Sequence, residues 1–407
     1  VTGSFDSLWD DLLPVGRDAT TNGYRRFSWT PVDATLREWF AAAAEARGLA
    51  VEVDRAGNQW AWWGDPGAGD AVVVGSHLDS VPDGGGYDGP LGVVSSLAAV
   101  DSLRNNGFVP SRSMAIVNMV EEEGARFGLA CLGSRLLTGA TVPDQALARR
   151  DVDGVTLAEA MRRVGHDPAD VGAEPDRVAG IGAFVELHVE QGLAPVQVGG
   201  ETVRGLAGLG CAVGVGSEIW PHGRWRIDLE GRADHAGTTA LADRNDPMVA
   251  LAGLILAART GAEHHDALAT VGKVEVRPNA VNAIPSSVTA WLDARGADET
   301  RVRELVTAVG TSVGVAPMLE SWTGRTGFDR ALTRRVAAVC GDLPTLPTGA
   351  GHDAGVLAAA GVPATMLFVR NPTGISHSPE EYAEPADCHA GVAALVAVLR
   401  DLAGDGR

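Results

Sequence analysis

Several short stretches of the chain combine residue types that chemistry needs. GSHLDS at 75–80 ends a β-branched apolar run on His77, and Asp79 stands two residues on. An imidazole at a strand end can ligate a metal through one nitrogen. A nearby carboxylate can hold the other N–H, which fixes the tautomer and raises ligand basicity. GGGYDGP at 84–90 places Asp88 among small neighbours that let the backbone approach an ion closely. A carboxylate, unlike a neutral imidazole, can bridge two cations. EEEGARFG at 121–128 follows an apolar run, and three carboxylates at a strand end are costly unless cations or protons offset them. One glutamate there could bind a metal while its neighbour takes a proton from water. ELHVEQG at 186–192 carries His188, and GISHSPEE at 374–381 carries His377. Two polar loops with small neighbours, DHAGTT at 234–239 and GHD at 351–353, add His235 and His352. Taken singly, each histidine reads at least as well as a satisfied core or surface residue, and His77 reads better as one. Together the set supplies enough His, Asp and Glu for two ions of borderline character.

These residues need elements that present them. Apolar runs at 71–74, 113–120 and 184–189 read as strands, each ending at one of the polar clusters, and 92–103 has helical apolar spacing. Strands alternating with helices predict a mostly parallel sheet covered on both faces. In such sheets chemistry gathers beyond the carboxyl ends of the strands. The rhythm changes between about 215 and 325. Residues 225–229, 270–276 and 287–293 read as strands, and 246–260 and 300–313 as helices, which predicts a small α+β domain. The α/β pattern resumes near Leu332 and reaches an apolar run at 364–369 before His377. The expected layout is therefore a catalytic domain at 1–214 and 326–407 with a second domain, 215–325, inserted into it. Residues 142–177 read as helices and surface loops.

Whole-chain properties bound the function. A length of 407 residues suits two domains. The net charge of −19 disfavours nucleic acid and anionic membranes as partners, and no apolar run is long enough to span a bilayer. It leaves a small anionic substrate open, because local arginines and metal ions can reverse the potential in one pocket. Lys273 is the sole lysine and lies in no motif. The four cysteines, Cys131, Cys211, Cys340 and Cys388, are scattered, which predicts buried, reduced side chains in a cytoplasmic protein.

The ordered motifs GSHLDS, GGGYDGP, EEEGARFG, ELHVEQG, DHAGTT, RPNAVN and GISHSP resemble the carbamoylase/allantoate amidohydrolase branch of the dinuclear zinc-exopeptidase superfamily, over residues 70 to 385. That resemblance implies a zinc-exopeptidase-like α/β catalytic domain with a mixed, mostly parallel sheet and an inserted α+β lid and dimerisation domain. It implies that His77, Asp88 and His188 hold one divalent ion and Asp88, Glu123 and His377 the other, as Zn²⁺ or Mn²⁺, with Co²⁺ or Ni²⁺ as further options. Glu122 would be the general base. His235 resembles a histidine that reaches across a homodimer to polarise the scissile carbonyl. Gln191, His222, Asn282 and Arg295 fall at substrate-contact positions, and a guanidinium suits a substrate carboxylate. Histidine at 188 points to the carbamoylase branch, since aminoacylase-like and carboxypeptidase-like relatives commonly carry a carboxylate there.

Two departures stand out: Ala240 follows HAGTT where Pro is common, and His222 replaces part of a Gln-Arg pair. The implied reaction is hydrolysis of a ureido C–N bond with release of ammonia and carbon dioxide. Allantoate is the expected substrate and an N-carbamoyl-L-amino acid the alternative. An aminoacylase, a peptidase, or a binding protein that has lost catalysis are the readings from other classes. His352 receives no role.

Overall fold

The computed structural model describes residues 2–404 and 406, and the chain divides into two compact units, 1–218 with 327–407, and 219–326. The expected boundary at 215 falls inside the strand Val213–Ile219, which hydrogen-bonds into the main sheet and extends the first unit by a few residues.

The first unit is built on a nine-stranded mixed sheet. Its centre is four parallel strands in the order Met114–Met119, Ala71–His77, Ile181–Val189 and Ala364–Val369. All but Gly182 in these strands are buried, which matches their near-continuous apolar sequences: a parallel sheet is covered on both faces. Antiparallel strands flank the centre. Gln59–Trp63 and Ala50–Val53 lie on one side, and Val213–Ile219 lies on the other. The helix Pro90–Asn105 begins with Pro at its first turn, where a missing N–H costs nothing, and is buried along most of its length. With Pro385–Ala403 it contributes Leu91, Leu97, Leu395 and Leu399 to the core over the sheet. Residues 142–177 do form short helices and loops. They are not only surface, however, because Leu157, Ala160 and Met161 pack with Phe127, Leu132 and Leu136 in a separate cluster.

The second unit is a four-stranded antiparallel sheet in the order Leu268–Arg277, Ser287–Arg295, His222–Glu230, Met318–Thr323. Strict alternation of buried and accessible residues along Ser287–Arg295 marks one face as core. The helices Pro247–His265 and Glu299–Val313 supply its cover through Leu251, Leu254, Val302 and Leu305. Asp246 and Asp298 cap them by accepting N–H bonds from their first turns. The fourth strand, Met318–Thr323, was not expected. It is an edge strand with mostly exposed side chains, so its sequence shows no alternation.

Among the described residues no helix is long and apolar enough to cross a membrane. All four cysteines are free. Cys131 and Cys388 are buried, while Cys211 and Cys340 are only half-buried, contrary to the expectation for all four.

Candidate metal centre

The parallel strands bring the first unit's predicted residues to one place. His77 is the last residue of Ala71–His77 and His188 the next to last of Ile181–Val189, both with almost no solvent exposure. Their ring centres are 5.9 Å apart. Each ring is oriented by a carbonyl: His77 Nδ1 is 3.1 Å from the Asp79 oxygen, and His188 Nδ1 is 2.8 Å from the Val189 oxygen. Nδ1 therefore carries the proton in the neutral ring, and both Nε2 lone pairs face the site. Both Nε2 atoms are buried without a hydrogen-bond partner. The Asp79 carboxylate is 3.4 Å from His77 Nδ1, farther than the Asp79 carbonyl. It accepts the N–H groups of Glu122 and Glu123, at 3.1 Å each, and so also seats the glutamate loop.

Asp88 lies between the imidazoles. Its Oδ1 is 3.4 Å from His77 Nε2 and 3.1 Å from His188 Nε2, while Oδ2 is 3.4 Å from His377 Nε2. His377 Nε2 is also 3.4 Å from Glu123 Oε2. The loop can bring Asp88 this close because Gly89 has φ +84°, and a Cβ there would sit 2.4 Å from the His77 ring. Two groups of potential ligand atoms result: His77, Asp88, His188 and Asp88, Glu123, His377, each with its atoms mutually within 4.8 Å. The donor set fits two borderline divalent ions, and the partnerless Nε2 atoms and Glu123 Oε1 are the buried orphans that such ions would satisfy.

Electrostatics agree with this geometry. Burial alone would raise the Asp88 carboxyl, but the His188, His377 and His77 rings outweigh it and hold it well below the usual carboxylate range. Burial pushes Glu122 well up, with His77 opposing. Glu122 Oε2 is 3.8 Å from His77 Nε2, and the Cys131 thiol is 3.3 Å from Oε1.

Gln191, expected at substrate, donates from Nε2 to Asp88 Oδ2 at 2.7 Å. The other predicted residues lie in the second unit. His235 sits on a two-residue strand, Asp234–His235, paired with Ala283–Ile284, and Ala236 N–H donates to the Asn282 carbonyl. Gly237 N–H donates to His235 Nδ1 at 3.0 Å, so the neutral ring keeps its proton on Nε2, free to donate. His222 and Arg295 are direct cross-strand neighbours. Asp293 grips Arg295 through two hydrogen bonds of 2.7 and 2.6 Å.

Sequence reading left several contributors without a role. His352 is buried with its ring 4.5 Å from that of His188, edge to face. Glu186, inside ELHVEQG, accepts from Ser76 Oγ at 2.8 Å and Ala354 N at 2.9 Å. Asp353 is hydrogen-bonded to Ser134. Their signal was present, since carboxylates in apolar runs must find partners, but the partners lie far away in the chain.

The metal-free protein is expected to lose stability as pH rises. Burial raises Glu121 to about 8 and Glu123 and Asp353 to about 7. His377 rises to about 9, because the partial desolvation of its half-exposed ring is outweighed by Asp88 and Glu123 beside it. In each case the folded value exceeds the unfolded one, so the folded state holds more protons. The contribution is complete below the ordinary values and is lost as pH climbs through about 7 to 9. Melting of chelated protein should occur at lower temperature at pH 8.5 than at pH 6, with a wider gap to ion-loaded protein at the higher pH. A chelated protein more stable at pH 8.5 would refute this balance.

Residues 73–401 match the model of Peptidase family M20/M25/M40, and the chain belongs to this family of hydrolases. It is 34% identical to the N-carbamoyl-L-amino acid amidohydrolase of Geobacillus stearothermophilus, over 98% of both chains. It is 31% identical to the ureidoglycolate hydrolase of Arabidopsis thaliana, over 97% of this chain and 85% of that one. The allantoate amidohydrolase of Escherichia coli is 30% identical over 96% of both. The crystal structure of an amidase of the hydantoinase/carbamoylase family from Burkholderia vietnamiensis superposes with a TM-score of 0.86 at 30% identity, covering 98% and 97% of the two chains.

Proposed function

We propose that the protein hydrolyses the C–N bond of a ureido group in a small anionic acid, with allantoate as the leading substrate and with Zn²⁺ or Mn²⁺, or Co²⁺ or Ni²⁺, as the ions. The observation that carries this reading is the convergence of His77, His188 and His377 on Asp88, with buried Glu122 beside them. The names of the relatives supply the substrate class, since three of them are named for ureido acids.

Two divalent ions in these ligands would make water acidic near neutral pH and polarise a carbonyl oxygen. Glu122 takes the proton of the attacking water at its carboxylate and returns it to the departing nitrogen as the C–N bond breaks. The carbamate so formed decomposes to ammonia and carbon dioxide. His235, with its proton on Nε2, is suited to donate to the oxyanion that develops on the carbonyl. Arg295, aligned by Asp293, suits the substrate carboxylate, with Asn282, His222 and Gln191 as further polar contacts. A homodimer through the second unit is part of the proposal. Leu268–Arg277 is an edge strand, and Val249 and Leu256 on the adjoining helix are about 70% exposed, both features of a surface that seeks a partner.

N-carbamoyl-L-amino acids are the second reading, favoured by the name of the 34% identical relative. Ammonia release should be measured from allantoate, ureidoglycolate and N-carbamoyl-L-methionine, on protein stripped by chelation and reloaded with Mn²⁺ or Zn²⁺. Allantoate should be turned over fastest, chelation should abolish activity, and reloading should restore it. Turnover confined to N-carbamoyl-L-methionine would replace the leading substrate. Cleavage of dipeptides alone would overturn the ureido class. An active monomer in sedimentation of the same sample would refute the dimer.

A further inference from the structure

Asp88 and His377 are carried by two loops nearly three hundred residues apart, and one buried side chain ties them together. Glu381 is 5% exposed. Its Oε1 accepts the backbone N–H groups of both Tyr87 and Asp88, each at 2.9 Å. Its Oε2 accepts the Ser376 hydroxyl at 2.7 Å, one residue before His377. Ser376 has a single proton. With that proton given to Glu381, its oxygen accepts from Gln191 Nε2 at 3.2 Å, and Gln191 in turn holds Asp88 Oδ2. The Asp88 loop has no room for a side chain where it crosses Glu381, since a Cβ on Gly85 would lie 2.4 Å from Glu381 Oε1.

The two candidate ion positions differ in what supports them. His77 and His188 stand on strands of a fully buried sheet, and carbonyls of the adjoining backbone orient their rings. His377 is half exposed, with φ +56°, and lies in no regular element. Its place relative to Asp88 therefore depends on contacts between loops, and Glu381 makes the central ones.

We propose that Glu381 is the positioning residue that locks the Asp88 loop to the His377 loop, so that the ion held by Asp88, Glu123 and His377 depends on it more strongly than the ion held by His77, Asp88 and His188, which shares only Asp88 with these loops. The inference rests on the reading that these two groups hold metal.

The test is metal content and ion affinity of purified protein, measured on wild type, E381A and E381Q after chelation and titration with Zn²⁺. Wild type should bind about two ions per chain. E381A should bind the ion of Asp88, Glu123 and His377 about 10–100-fold more weakly, as expected when a partner that orients ligands is lost, and the ion anchored by His77 and His188 should weaken by a clearly smaller factor. E381Q should stay close to wild type, because its amide oxygen still accepts both N–H groups and its NH₂ can donate to Ser376. The readout is the difference between the two ions, since a merely structural defect would weaken both alike. E381A binding both ions as wild type does, or weakening both equally, would overturn the proposal. Wild type binding no ion would instead sink the metal reading itself. Should E381A fail to fold, S376A provides the test, with the same ion weakened about 10-fold; two unchanged affinities there would overturn it.

Discussion

Glu122→Gln is expected to lower kcat by about 10²–10⁴-fold, the usual range for loss of a positioned general base, while metal content stays unchanged. The substitution preserves volume. Its amide oxygen can still accept from the Cys131 thiol, which lies 3.3 Å from Oε1 in the native protein. The backbone at 122 and 123 stays tied to the Asp79 carboxylate. What disappears is only the capacity to take a proton. Glu122 is not a member of either ligand group, so ion binding should survive. Rate measurements on ion-loaded protein, paired with metal analysis, decide the matter. A variant that keeps more than a tenth of wild-type kcat with its ions bound would remove Glu122 from the role of base. Loss of the ions themselves would make it a ligand instead.

The largest effect on the ions should come from Asp88→Ala. Asp88 is the one residue common to both candidate groups, with Oδ1 toward His77 and His188 and Oδ2 toward His377. Its removal also leaves three imidazoles facing one another without the carboxylate that offsets their charge when protonated. Both ions should be lost or greatly weakened. Metal assistance is worth several kcal/mol of transition-state stabilisation, so activity should fall on the order of 10³-fold or more. His377→Ala, which touches a single group, should retain about one ion. Equal metal loss in both variants would contradict a bridging Asp88. An Asp88→Ala protein that still holds two ions would refute the site as assigned.

Much of the site was legible because of strand geometry. A buried parallel strand must be apolar along its length, so the polar residues at or just beyond its carboxyl end, at 77, 121–123, 188 and 190, stand out against the run. The inserted unit was legible for the complementary reason. Its sheet has one covered face, and the alternation along Ser287–Arg295 records it. Where that physical cause is weak, so was the sequence signal. The edge strand Met318–Thr323 packs little and left no pattern. The short helices Pro143–Leu147 and Leu157–Arg163 bury only one side chain and three respectively, too few to distinguish core from loop.

The roles of Asp79, Gln191 and Glu381 show the same division. Types and spacing placed Asp79 near His77, but whether its carbonyl or its carboxylate meets the ring depends on how the chain turns after the strand, and there the carbonyl is closer. Gln191 was expected at substrate, and its amide also donates to Asp88, a bond across 103 residues that no local pattern records.

The sequence by itself determined which residue types are present for a two-ion hydrolase, their order, and the strands that must end on them. Local rules of burial and periodicity are enough for that. The family resemblance already implied a shared Asp88 and a Glu122 outside the ligand groups, and the tertiary structure supplied the distances for them; only the tertiary structure decided that Glu381 joins two loops 293 residues apart. Those facts are distances between side chains on different elements. They are set by packing and by long-range hydrogen bonds, which leave no periodic trace along the chain.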